Sequence, residues 1–191
     1  MTTTPATPAP SESGSGPALR IAPARQVVGP ISFETARGDE SSARAEAVRR
    51  GTADVRLEVF VIEQQVPLIL EIDAKDDEAT TVHVLARGAD GTPLAAGRLL
   101  IEPDHPGQVH LGRLAVRLAA RGTGLGARMV AAIEQAALDI RGEGVAVVLS
   151  AQEQAMGFYE RCGYRPVTGE SYMDAGIPHQ DMARTLSRGA R

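Results

Sequence analysis

Apolar and polar residues alternate in Ile31-Ser32-Phe33-Glu34-Thr35-Ala36, which predicts a strand at the start of the ordered chain. Residues 41–64 then read as mainly helical. Val55, Val59 and Ile62 recur at four and three residues and are predicted to share one face. Pro67 marks the end of that helix, and residues 68–78 read as an acidic loop carrying Glu71, Asp73, Asp76, Asp77 and Glu78. Two strands are predicted at 81–87 and 93–102, joined by the turn-rich link Gly88-Ala89-Asp90-Gly91-Thr92. A third follows at 109–116, where apolar residues change side between Leu111 and Leu114, the mark of a bulge at Gly112.

The clearest helical period comes next. Leu125, Met129, Ile133, Ala137 and Ile140 form one apolar stripe, and Gly142 and Gly144 end it. Val145-Ala146-Val147-Val148-Leu149 is continuously apolar, as a strand covered on both faces would be. A short helix at 154–161 and strands at 165–167 and 180–186 complete the order β-α-β-β-β-α-β-α-β-β. Hairpins precede a strand–helix–strand crossover. The expected fold is therefore α/β, with a mixed antiparallel and parallel sheet of six or seven strands flanked by helices.

Composition changes this picture mainly at the N-terminus. Sixteen of the first 18 residues are Ala, Gly, Pro, Ser or Thr, too little apolar surface to offset ordering. Residues 1–29 read as a disordered tail without a signal-peptide pattern, and residues 30–191 as one domain. The formal net charge is −4 and aromatics are 3 % with no Trp, which argues against a basic or base-stacking nucleic-acid surface. No apolar run is long enough for a membrane span. Cys162 is alone, with no disulfide partner and no neighbouring histidine, and reads as a packed residue in a cytoplasmic protein. His83, His105, His110 and His179 form no i, i+4 pair, and no metal site is expected.

Chemistry concentrates in Arg121-Gly122-Thr123-Gly124-Leu125-Gly126, between a strand and the strongest helix. The first turn of a helix has amide donors without internal partners, and its dipole favours an anion. Glycines let a phosphate approach that backbone, although a plain strand-to-helix turn also uses glycine. The loop lacks the third glycine of a dinucleotide fingerprint, where Met129 stands, and the lysine of a Walker loop.

This segment resembles the Gln/Arg-x-x-Gly-x-Gly/Ala signature of the GNAT N-acetyltransferase superfamily. Ala155-Met156-Gly157-Phe158-Tyr159-Glu160-Arg161-Cys162-Gly163-Tyr164 resembles that family's second motif. Residues 56–64, Asp73, His83 and Gly176-Ile177-Pro178-His179 are similar to its ElaA-like branch. The resemblance implies acetyl-CoA lying in a splay between the strands near Val116 and Val148. Leu114, Ala115 and Val116 would face the pantetheine. Arg121, Gly122, Thr123, Gly124, Leu125, Gly126 and Ala127 would hold the pyrophosphate, and Gln152 stands where relatives place an Asn. Tyr159 matches the general acid.

The base is not carried by a motif, because Val147 occupies the strand position where some members have Glu. Glu63 is the leading candidate, with His110, His83 and His179 as alternatives. The acidic loop would either draw a cationic amine or be a solvated surface, and Arg113 either acts on the acceptor or caps the sheet. The implied activity is acetyl transfer to a small-molecule or protein amine, with a homodimer as a possible assembly. A non-catalytic acyl-CoA-binding module on the same fold, or a transferase of longer acyl chains, are the alternatives.

Overall fold

The computed structural model describes residues 29–187. The predicted tail at 1–29 falls almost wholly outside them. One seven-stranded sheet has the order β1-β2-β3-β4-β5-β7-β6. The strands are β1 Ser32–Arg37, β2 Thr81–Arg87, β3 Pro93–Ile101, β4 Gln108–Val116, β5 Ala146–Gln152, β6 Arg165–Asp174 and β7 Ile177–Thr185. β4 and β5 pair in parallel and every other neighbouring pair is antiparallel. The predicted mixed sheet and element order are therefore present.

Two long helices cover opposite faces of the sheet. Helix α1, Ala43–Arg56, is capped by Ser42, whose side chain accepts from the Ala45 amide. It buries Ala45 and Val48 against Ala36 and Leu85. Helix α3, Leu125–Arg141, buries Leu125, Met129, Val130, Ile133 and Ala137 against Val82, Val84 and Ala86. Alternate residues of β2 thus serve two cores, which is why the strand is buried nearly end to end. Ile140, the last residue of the predicted stripe, lies at the margin of this core rather than in it.

After Arg56 the helix widens into a π-helical stretch, Leu57–Glu63, closed by a bond from the Gln64 amide to the Val59 carbonyl. The wider turn shifts the phase of the apolar stripe. Val55 and Val59 stay buried, but Ile62 is turned out to solvent, contrary to the sequence expectation.

Residues 68–78 are mostly exposed, with Glu71 buried, but they are not all loop. They form a short helix α2, Leu68–Glu71, and a 3₁₀ turn, Ala74–Asp77. Arg56 bonds Glu71 and both carboxylate oxygens of Asp76, at 3.0 and 2.9 Å for the latter. Arg98 bonds Asp73 at 2.9 Å and Asp76 at 2.8 Å. Burial pushes the Asp76 carboxyl up, but bonds and charges from Arg56 and Arg98 outweigh it and hold the group below the usual range.

Helix α4, Met156–Arg161, follows β5 and returns the chain to β6. β6 and β7 each extend beyond the predicted segments.

Candidate active site

Two irregularities in the sheet make the site. The first is a bulge in β4. Ala96 pairs with Ala115 but Arg98 pairs with Gly112, so Arg113 and Leu114 oppose Gly97 alone. The left-handed residue is Arg113, at φ 53°, one position after the glycine expected there. Its guanidinium bonds the Leu70 carbonyl at 3.1 Å and approaches Glu71 and Asp73. Arg113 therefore ties the bulge to the acidic segment.

The second irregularity is the end of the parallel pairing. β4 and β5 match only at Gln108–Ala146, Val109–Val147 and His110–Val148. Beyond those pairs both strands continue but separate, which is the predicted splay. A cavity of about 870 Å³ occupies it. One wall is Leu111, Gly112, Arg113, Leu114 and Val116 of β4, and the facing wall includes Ser150 and Gln152 of β5. The edge of β4 turned towards the cavity has lost its strand partner, so its backbone can pair with an amide-bearing chain.

The glycine loop closes one end. Gly122 and Gly124 have φ of 76° and 81°, a region glycine enters without strain. None of the amides of residues 122–127 makes a hydrogen bond of ordinary geometry to another described residue; the first helical bond is Arg128 N to the Gly124 carbonyl. Gly124 caps the helix without a side chain. A run of free donors at the positive end of a 17-residue helix fits a pyrophosphate. The Thr123 hydroxyl donates to the Ala120 carbonyl at 2.7 Å and shapes the turn. At Gly126 a Cβ would stand 3.3 Å from the Phe158 ring, so glycine lets the first turn of α3 meet α4.

That contact brings the second motif to the cavity. Tyr159 lines it while only 8 % exposed, edge-on to Phe158 and Tyr164 at centroid distances of 5.0 and 5.9 Å. Burial pushes its phenol well above the ordinary value, which keeps the proton on oxygen.

Arg121 and Gln152 line the cavity, but their side chains are engaged by protein groups. Arg121 Nε donates to the Val116 carbonyl at 2.8 Å and its two terminal nitrogens grip Glu63. Gln152 donates to Gln64 at 3.1 Å and accepts from Gln154 at 2.9 Å. Both residues brace the walls.

The expected base, Glu63, is not among the cavity-lining residues. Hydrogen bonds from Arg121 hold its carboxyl below the usual range, so it is a poorer proton acceptor than a free Glu. Its engagement by Arg121 outside the cavity lining speaks against the expected role of base. His83 is buried with Nε2 on the Asp76 carbonyl, and burial pushes its pKa down. His110 contacts Gln108 and Glu102 away from the cavity. Only His179 of these candidates lines it.

Sequence reasoning missed three residues here. The Ser150 hydroxyl meets Tyr172 Oη at 2.5 Å, and Tyr172 donates to Asp181 at 2.6 Å. Period-2 alternation in β6 would have revealed Tyr172, but every residue of that strand is exposed and no alternation exists. Cys162 is packed against the main core, and burial raises its thiol pKa, as for a structural cysteine. Among the described residues no cluster of three or more His, Cys, Asp or Glu is placed to hold a metal ion. No described helix is long and apolar enough to cross a membrane.

Comparison with known proteins agrees with this geometry. The sequence model of the Acetyltransferase (GNAT) domain matches residues 47–186. The chain is 39 % identical over 131 residues to the uncharacterized N-acetyltransferase YjcF of Bacillus subtilis, covering 68 % of this chain and 87 % of that protein. It superposes on an acyl-CoA N-acyltransferase from Pseudomonas aeruginosa with a TM-score of 0.71 and 35 % identity, covering 82 % of this chain and 100 % of the other. For Escherichia coli ElaA the TM-score is 0.69 at 30 % identity, covering 81 % and 99 %. The splayed sheet, the open amide loop and the matched family together make this chain a member of the GNAT acetyltransferase family, whose fold binds acyl-CoA.

Proposed function

We propose that this protein transfers an acetyl group from acetyl-CoA to a primary amine, by direct attack within a ternary complex. The observation that carries this reading is one cavity holding both the unpartnered amides of residues 122–127 and the buried Tyr159 phenol. Leu114, Ala115 and Val116 supply the open β4 edge for the pantetheine, and residues 122–127 supply donors for the pyrophosphate. Arg121 holds the loop to the β4 carbonyl, and Gln152 holds the facing wall. The acceptor is a small-molecule or protein amine in the cytoplasm.

Tyr159 acts as the acid. Its phenol lines the cavity and carries its proton at neutral pH, so it can donate to the thiolate that leaves as the amide forms, although burial makes it a weaker acid than a free phenol. Alignment of amine and thioester supplies much of the remaining rate. A ping-pong route through a cysteine finds no support, because Cys162 does not line the cavity. A binding-only module would need no buried phenol at the splay, which favours the enzyme.

The direct test is thiol release from acetyl-CoA across a panel of alkylamines, polyamines and peptide amines. Release that depends on an amine supports the reading. Binding of acetyl-CoA with no transfer to any amine would favour the binding-only module.

A further inference from the structure

His179 is fixed in an unusual way for a histidine at the edge of a cavity. It lies on β7, in register with Gln152 of β5 on one side and Tyr172 of β6 on the other. The ring is 8 % exposed yet lines the cavity. Its Nδ1 is 2.8 Å from the Ile177 carbonyl. A carbonyl only accepts, so Nδ1 carries the hydrogen and the neutral ring presents its lone pair at Nε2. The ring's one hydrogen bond to a described residue is this one at Nδ1, which leaves Nε2 open. The ring also stacks on Tyr172, at 6.2 Å and 22°. Tyr172 in turn is held by Ser150 and Asp181. The tautomer is set from below and the ring plane from the side.

We infer that His179 Nε2 is the general base that takes the proton from the attacking amine. The inference rests on the acetyl-transfer reading above. As the amine nitrogen forms its bond to the thioester carbonyl carbon, its proton passes to Nε2. The carbon–sulfur bond breaks with its electron pair going to sulfur, and Tyr159 protonates that thiolate. Solvent returns a proton from His179 to Tyr159, so amine and thioester become amide and thiol with nothing left over. The ionisable groups around His179 are Tyr172 against its face, Asp181 beyond the Tyr172 hydroxyl, Asp174 on the same cavity wall and Glu153, which bonds the adjacent Gln180.

The test is His179→Asn, whose side-chain amide keeps a donor for the Ile177 carbonyl and lacks the Nε2 lone pair. With an alkylamine, kcat/KM is expected to fall about 10²-fold near neutral pH and to recover as pH rises. With methoxyamine, a far weaker base that is unprotonated at neutral pH, the loss is expected to stay within about 5-fold, since the nitrogen of its adduct is acidic enough to give its proton to water. Affinity for acetyl-CoA is expected to stay near wild type. His179→Gln and added imidazole with His179→Ala give the same comparison if the Asn variant is unstable. Equal losses with both amines, or none, would overturn the inference while leaving acetyl transfer standing. Wild-type protein that binds acetyl-CoA but acetylates no amine would overturn the acetyl-transfer reading itself and this inference with it.

Discussion

Arg121 and Glu63 lie 58 residues apart and form a two-pronged ion pair, at 2.6 and 2.7 Å. The pair joins the π-helical end of the α1 segment to the glycine loop, and Arg121 also reaches back to the Val116 carbonyl. Two walls of the cavity are therefore stapled at one point. The planar guanidinium suits this because both oxygens of one carboxylate are met at once.

From this pairing, Glu63→Gln is expected to leave the shape of the pH–rate profile unchanged. The pair is well exposed, so its loss should raise KM for acetyl-CoA no more than about 5-fold, corresponding to the ~1 kcal/mol ceiling of such pairs. Steady-state kinetics from pH 6 to 9 decide it. A lost acidic limb in the variant would restore Glu63 as the base.

Gly124→Asp sets a carboxylate beside the open amides at the start of α3. At φ 81° an aspartate is tolerated better than most residues, so folding should survive. Like charge against the pyrophosphate should abolish the thermal shift that acetyl-CoA gives the wild type. A shift of unchanged size in the folded variant would remove the phosphate-loop assignment.

Asp76 sits between Arg56 and Arg98, and its folded-state pKa is lowered from 3.8. A group depressed in this way stabilises the fold above its unfolded value, and that contribution is lost as pH falls through the folded value. Asp76→Asn should therefore cost about 2 kcal/mol at pH 7, less than a fully buried pair because Asp76 keeps some solvent contact. The gap between variant and wild type should shrink below about pH 4, as first the unfolded chain and then the folded protein takes up the proton. Urea unfolding at pH 7 and pH 3 measures both; a constant gap would contradict the role given to Asp76.

Legibility in the sequence followed the periods. The α3 stripe at Leu125, Met129, Ile133 and Ala137, the hairpin strands and the glycine loop are local patterns, and all are present. Ile62 was misplaced because one π-helical stretch breaks the phase that a regular helix would keep. The ion pairs of the acidic segment left no mark in the sequence because its partners Arg56, Arg98 and Arg113 lie 15 to 43 residues away, and only the fold brings them together. The bulge was visible as a change of side, but its left-handed residue is Arg113, held there by Leu70 and the acidic segment, rather than the neighbouring glycine. The free lone pair of His179 depends on a bond two residues away and leaves no mark in composition or spacing.

The most direct measurement is kcat and acetyl-CoA affinity for Tyr159→Phe, with the best amine found for the wild type. The substitution removes one hydroxyl and keeps the ring between Phe158 and Tyr164. If Tyr159 protonates the leaving thiolate at the splay, kcat should fall about 10²-fold or more. The acetyl-CoA Kd should change little, because the β4 edge and the amides of residues 122–127 remain. Full turnover in the Phe variant would contradict the account, and a fall confined to affinity would make Tyr159 a binding residue.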